Sequence, residues 1–387
     1  LVYYKDVIAR HFLNMQFLKI LLCLTILLVD NLCEQYKKPT LLISILVRNK
    51  AHTLPYFLSN LEQLNYPKNR ISLWIKSDHN FDQSIEILKL WVSSVKDHYH
   101  SINTEYVEGG ENFPEESSPS HWTEERFNHL IELRESALPV RQKYLGRLFI
   151  CIPSISKMGK YLFYQNTNTI DCDVFLTNPE TLNYLVSKDY TVVAPMLRSD
   201  GLYSNFWHGM TSDYYYERTE EYKPVLYREN IGCFNVPMVH SCVLINLRKT
   251  ESDLLTYNPK NINDYNGPND DIITFAISAN RSSVSLNLCN EEKFGFVMVP
   301  LEQGDQIGLD YEQLSNIKLE VLNDYEPLYV SELLRSYTIG IPEKDTLGFD
   351  RIFMINLERR PERRRRMHAC FDEIGMDVTS VEAVDGR

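Results

Sequence analysis

Leu41-Leu42-Ile43-Ser44-Ile45-Leu46-Val47, followed at once by Arg48-Asn49, is the stretch on which the fold turns. An apolar run of this length with no alternation reads as a strand covered on both faces, the kind found in parallel sheets. Downstream, residues 52–64 place Leu54, Phe57, Leu58, Leu61 and Leu64 at helical spacing. Ile71–Ile75 reads as a second strand ending at Lys76-Ser77-Asp78, and residues 83–97 as a second amphipathic helix through Leu88, Trp91 and Val95. Strand, helix, strand, helix in this order predicts an α/β, Rossmann-type domain with a mostly parallel sheet. Ligands of such sheets lie beyond the carboxyl ends of the strands. That rule puts Arg48, Asn49 and Asp78 at a binding site before any chemistry is considered.

The wider chain sets bounds. Its 387 residues suit two or three domains, or one large domain and a fragment. The formal charge of −12 argues against a nucleic-acid binder, which needs a basic face. Residues 15–33 read as a signal peptide: Lys19 precedes an apolar run from Ile20 to Val29 that is too short to span a bilayer. No stable membrane span is expected, although an uncleaved signal anchor is the other reading, and residues 1–14 read as an upstream extension. None of the eight cysteines has zinc spacing. Cys233 and Cys289, flanking the last part of the first domain, are the candidate disulfide, though spacing does not fix connectivity. Asn280-Arg281-Ser282 is an N-glycosylation sequon.

Further along, residues 108–122 read as a surface loop and 124–141 as a helix. Leu145–Lys160 is apolar with neither clean period. Asp171-Cys172-Asp173 runs straight into apolar Val174-Phe175-Leu176. Strands are expected at Thr191–Leu197, Val236–Val239, Val243–Leu247 and Phe296–Val299, with a helix over 271–279 opened by Asp270-Asp271. Residues 302–348 read as a charged, turn-rich connector, and Arg351–Leu357 as a new strand before Arg359–Arg366, where six of eight residues are arginine.

Several of these residues suit the transfer of a sugar from a nucleotide. A departing diphosphate needs neutralising, and a divalent metal on carboxylates does this as a Lewis acid. Asp171 and Asp173 at a strand end are candidate ligands for Mn²⁺ or Mg²⁺, with His240 as a third. Each also has a bland reading, a surface turn for the aspartates and a structural role for the histidine. Asp78 fits a ribose or base contact, or a helix cap. Asp270 and Asp271 fit a general base, or N-capping. Trp207, with Tyr214 to Tyr216, fits stacking on a sugar or peptide, or ordinary packing. The arginine run fits a diphosphate-binding loop or a solvated helix face.

Taken in order, eight blocks resemble one family. They are Val47–His52, Ser77–Asn80, Asp171–Asp173, Val193–Leu197, Tyr203–Trp207, Val236–Ser241, Asp270–Ile273 and Phe353–Arg360. The chain is similar, from Pro39 to Arg387, to the procollagen galactosyltransferases of glycosyltransferase family 25 and their cell-adhesion-named relatives. The resemblance implies two GT-A-like domains in tandem: a first over 38–301, a connector over 302–348, and the start of a second over 349–387. It implies residence in the endoplasmic reticulum lumen, UDP-galactose as donor, collagen hydroxylysine as acceptor, and Mn²⁺ held by Asp171 and Asp173. A catalytically silent collagen-binding module is the alternative. There are two departures. The chain ends before the second domain's own Asp-x-Asp, and Leu145–Lys160 interrupts the passage to Asp171, leaving Thr167–Ile170 where a plainer strand is expected. A misjoined segment there would displace the metal site.

Overall fold

The computed structural model describes residues 38–138, 166–324 and 327–384. The leader read at 15–33 and the Leu145–Lys160 segment lie outside these residues. Among the described residues no helix is long and apolar enough to cross a membrane.

The centre is an eight-stranded sheet. Its strands are β1 (Leu41–Val47), β2 (Ile71–Ser77), β3 (Ser101–Tyr106), β4 (Asn166–Ile170), β5 (Val192–Pro195), β6 (Cys233–Val236), β7 (Cys242–Asn246) and β8 (Leu286–Cys289). They lie in the order β6-β8-β5-β7-β4-β1-β2-β3. β3, β2, β1 and β4 run parallel, as do β5 and β8, while β7 opposes both its neighbours and β6 opposes β8. Leu41, Ile43 and Ile45 are wholly buried, as the unbroken apolar run requires. Helices α1 (Leu54–Gln63) and α2 (Ser84–Val95) bury Leu54, Leu58, Leu88 and Trp91 in the same core. Each such side chain contributes about 1.5–3 kcal/mol of burial.

The chain runs outward from β1 to β3, then returns across β1 to form β4 on its other side. Neighbouring strands whose connections leave in opposite directions open a crevice at their carboxyl ends. Residues 48–50 leave β1 there, and residues 171–173 leave β4. β4 departs from the plainer strand expected: Asn-Thr-Asn-Thr-Ile is buried throughout, yet it pairs in register with β1 and β7. The sheet thus holds Asp171 at a strand end.

Helix α3 (Glu124–Ala137) follows Thr123, whose hydroxyl accepts from the Arg126 amide. The short helices α4 (Thr181–Ser187) and α5 (Tyr222–Leu226) precede α6 (Asp271–Arg281). Two expectations need correcting. The 302–348 stretch is not merely turn-rich: α7 (Ile307–Asp324) buries Leu314, Ile317 and Val321 against Tyr56, Phe175, Phe296 and Met298. The arginine run is not a loop either. Pro361 opens α8 (Pro361–Glu373), on which Arg363–Arg366 are exposed, so a solvated helix face is what forms. α8 joins the parallel strands β9 (Ile352–Asn356) and β10 (Val378–Glu382), and meets α7 through a Lys318–Glu373 ion pair.

Candidate active site

A cavity of about 480 Å³ opens at the β1/β4 crevice. Its walls include Arg48, Asn49, Asp78, Asp171, Asp173, His240, Asp270 and Asp271, so eight of the residues singled out in the sequence converge. Trp207 does not line it. That side chain sits opposite Met238 in a short antiparallel pairing and packs on Tyr216 with ring centroids 5.3 Å apart, against a hydrophobic cluster that includes Phe206, Tyr222 and Met238.

Two cations organise the carboxylates. Arg134 Nη2 donates to Asp171 Oδ1 at 3.0 Å, and its Nε lies 2.5 Å from Asp271 Oδ2. Lys50 Nζ lies 3.3 Å from Asp173 Oδ2 and 3.2 Å from Asp310 Oδ2, and His52 Nε2 approaches the same Asp310 oxygen at 2.9 Å. Each aspartate of the pair is thus linked through a cation to a second carboxylate. Burial opposes the charge on Lys50, but Asp173 and Asp310 outweigh it and hold its pKa above the usual lysine range. Arg134 is raised likewise: Asp171 and Asp271 overcome its desolvation. Burial raises the Asp173 pKa, with Lys50 opposing.

The two aspartates that open α6 do different work. Asp270 is the N-cap, its Oδ1 accepting from the Ile273 amide at 2.8 Å. Asp271, in the first turn, is pushed up to about 6, chiefly by burial, with Arg134 opposing and Asp270 and Asp171 adding to the rise. Capping is therefore the role of Asp270, and Asp271 is left as the candidate base.

His240 is buried, its Nδ1 2.9 Å from Ser241 Oγ. Burial holds its pKa down to about 4, Asp171 opposing and Arg134 assisting, so the ring is neutral at physiological pH. It does not close a three-ligand group with Asp171 and Asp173. Among the described residues the only three whose ligand atoms all lie within 4.8 Å of one another are Asp78, His79 and His129. Asp171 and Asp173 by themselves still suit a hard divalent cation: both are carboxylates at the cavity wall, about a quarter exposed, and each engages its basic partner through one oxygen.

Around Asp78, His129 Nε2 approaches Oδ2 at 2.7 Å and His79 Nδ1 approaches Oδ1 at 3.0 Å. Burial works to raise the Asp78 pKa, but the two imidazoles hold it below the usual range. Asn49 serves the turn: its amide donates to Asn80 Oδ1 while its own Oδ1 accepts from the Phe81 amide. Asn49, His79 and Ser241 all have left-handed backbone, with φ of 53°, 50° and 62°. Strained positions of this kind collect at functional sites.

The 108–122 loop, expected on the surface, in part turns inward. Arg48 grips buried Glu116 through its two terminal guanidinium nitrogens, at 2.8 and 2.6 Å, and Arg126 adds a third contact at 3.0 Å. The site residues missed in the sequence are Lys50, Glu116, His129, Arg134 and Asp310. Arg134 had a signal: Phe127, Ile131 and Arg134 share the inward face of α3 at spacings of four and three, so a charge stands where an apolar residue belongs. Asp310 had none, being one acid among many in a stretch read as connector.

Elsewhere, the structure joins Cys233 and Cys289 in a disulfide between β6 and β8, with Cα atoms 4.0 Å apart. Asn280 is exposed near the end of α6.

The profile of glycosyltransferase family 25, N-terminal domain, matches residues 38–318, past the boundary at 301 drawn from the sequence. A glycosyltransferase 25 family member of Anopheles gambiae is 46% identical over 374 residues, 96% of this chain and 60% of the relative. Procollagen galactosyltransferase 2 of Mus musculus is 42% identical over 351 residues, 91% of this chain and 53% of the relative. The chain thus spans little more than half the length of these curated relatives. Among solved structures, a mannosyltransferase from Pyrobaculum calidifontis in complex with GDP-Man and Mn²⁺ is similar at a TM-score of 0.40 and 10% identity, over 76% of this chain and 67% of that one. Staphylococcus aureus TarS 1–349 in complex with UDP-GlcNAc has a TM-score of 0.38 at 11% identity, over 77% of this chain and 71% of that one. The mostly parallel sheet and the family profile, not those scores, make the fold α/β and GT-A-like. Matched by that profile over most of its length, the chain belongs to glycosyltransferase family 25.

Proposed function

We propose that the cavity beside β1 and β4 is a nucleotide-sugar site, and that the protein transfers galactose from UDP-galactose to hydroxylysine of collagen in the endoplasmic reticulum lumen. The observation that carries this reading is the convergence of Asp171, Asp173 and Asp271 on one cavity. Asp171 and Asp173 would hold a divalent cation, Mn²⁺ in the family's chemistry, which when bound neutralises a leaving diphosphate. Asp271 accepts a proton from the acceptor hydroxyl, its pKa of about 6 placing it near neutrality as a base requires. Arg134 holds that carboxylate in place. Arg48 and Asn49 stand where a donor would lie, on the carboxyl edge of β1.

One observation favours a second reading. Lys50 and Arg134 already neutralise the aspartate pair, as they would in a silent domain that binds collagen without catalysis. Calorimetry of UDP with and without Mn²⁺, on the wild type and on Asp171→Ala/Asp173→Ala, tests the donor site, and galactose transfer to a hydroxylysine peptide then separates the two. Metal-dependent binding that the double variant loses supports a working donor site. A folded wild type that binds no UDP leaves the silent module.

A further inference from the structure

We propose that Asp78, His79 and His129 form a second divalent-metal site, separate from Asp171 and Asp173, that takes a borderline transition ion of the Zn²⁺ class. Two imidazoles and a carboxylate are a donor set that zinc favours, and three protein ligands leave a fourth position for water or for an anionic oxygen. The ligand atoms already sit within one coordination sphere. His79 Nδ1 and His129 Nε2 contact different oxygens of the same carboxylate, at 3.0 and 2.7 Å, and all three groups fall within 4.8 Å of one another. In a metal-bound state the cation replaces the protons that now bridge these atoms.

The surroundings hold this set in place. Asp78 follows the end of β2, and His129 projects from the middle of α3. His79 keeps a left-handed backbone, φ 50°, its ring stacked on Phe113 at 4.1 Å and its carbonyl accepting from Arg48 Nε at 3.3 Å. Glu116 ties the whole together: it receives Arg48 and Arg126 and accepts from the Phe113 amide at 2.9 Å. Metal ligands are usually oriented by such outer partners. Glu116, set against both guanidiniums, offsets part of their charge beside the ion. Occupation would pin β2 to α3 across one end of the cavity that Asp78 and His129 line.

The test uses the full chain without donor or acceptor. Co²⁺ is titrated in, its visible d–d absorption recorded, and Zn²⁺ then added to displace it, for the wild type, His79→Gln, His129→Gln and Asp171→Asn/Asp173→Asn. The bands are expected in the wild type and in the double aspartate variant, and are expected to be lost in both histidine variants. X-ray absorption at the zinc edge of the wild-type protein adds a count that needs no variant to fold; it should find two imidazoles. Fewer than two, no binding by the folded wild type, or bands that follow Asp171 and Asp173 instead of the histidines overturns the site. Because UDP takes no part, failure here is distinct from failure of the donor site.

Discussion

Asp271 and Glu116 are both buried acids held by arginine; burial pushes both upward, and their partners decide opposite outcomes. For Asp271 desolvation wins over a single well-placed guanidinium, and the pKa rises to about 6. A base with that pKa is protonated and idle in acid, so kcat/KM for transfer should climb as pH passes upward through about 6 and level off above it. Asp271→Asn should abolish this limb and lower kcat by ~10²–10⁴-fold, the usual worth of a general base. A pH–rate profile on both proteins checks it, and an unchanged limb in the variant would remove Asp271 from the mechanism. Glu116 meets two guanidiniums and a backbone amide, and these hold its pKa down despite burial. Glu116→Gln strips the charge that Arg48 and Arg126 share. Removing one partner of a buried pair costs about 3–5 kcal/mol, less where the partners reach solvent, as both arginines do in part. A loss of about 2–3 kcal/mol in urea unfolding is expected.

At the level of elements, β4 is the informative case. Strands β1 and β2 were legible because their apolar runs leave little choice of structure. The sequence Asn166-Thr167-Asn168-Thr169-Ile170 has no such signature, and only the slot between β1 and β7 makes it a strand. The cost shows among the described residues as buried polar atoms without a hydrogen-bond partner, Asn166 Nδ2 and Thr167 Oγ1 among them. Thr167→Val keeps the shape and removes the hydroxyl, so it should stabilise the protein by about 1–2 kcal/mol. A measured loss would mean the hydroxyl has a partner. The same distinction explains α7. Its Leu314, Ile317 and Val321 do fall at helical spacing, but the acids and turn residues around them hid it, and with it Asp310. Ile317 is wholly buried in the cluster that α7 forms with Phe175 and Phe296, and Ile317→Ala should cost about 2–5 kcal/mol. Side chains brought together from distant segments, such as Lys50 with Asp310 or Asp78 with His129, carry no local pattern at all. For those, the strand ends indicated the place but not the partners.

Across the whole molecule, the Cys233–Cys289 bond closes a loop of 56 residues of separation at one edge of the sheet. Inside that loop lie β7 and α6, and so His240, Asp270 and Asp271. The bond therefore restrains these three residues of the candidate site through the unfolded chain as well as the folded one. Chain-entropy arguments give about 4 kcal/mol for a loop of this length, and such bonds commonly deliver ~2–4 kcal/mol. The contribution exists only where thiols stay oxidised, as in the proposed lumenal setting. Cys233→Ser/Cys289→Ser should thus unfold in urea with a stability lower by about 2–4 kcal/mol. Reductant should destabilise the wild type by a similar amount and leave the double variant unchanged. If the variant matched the oxidised wild type, the site would owe its order to the sheet alone, and an oxidising compartment would no longer be needed to keep β7 and α6 in place.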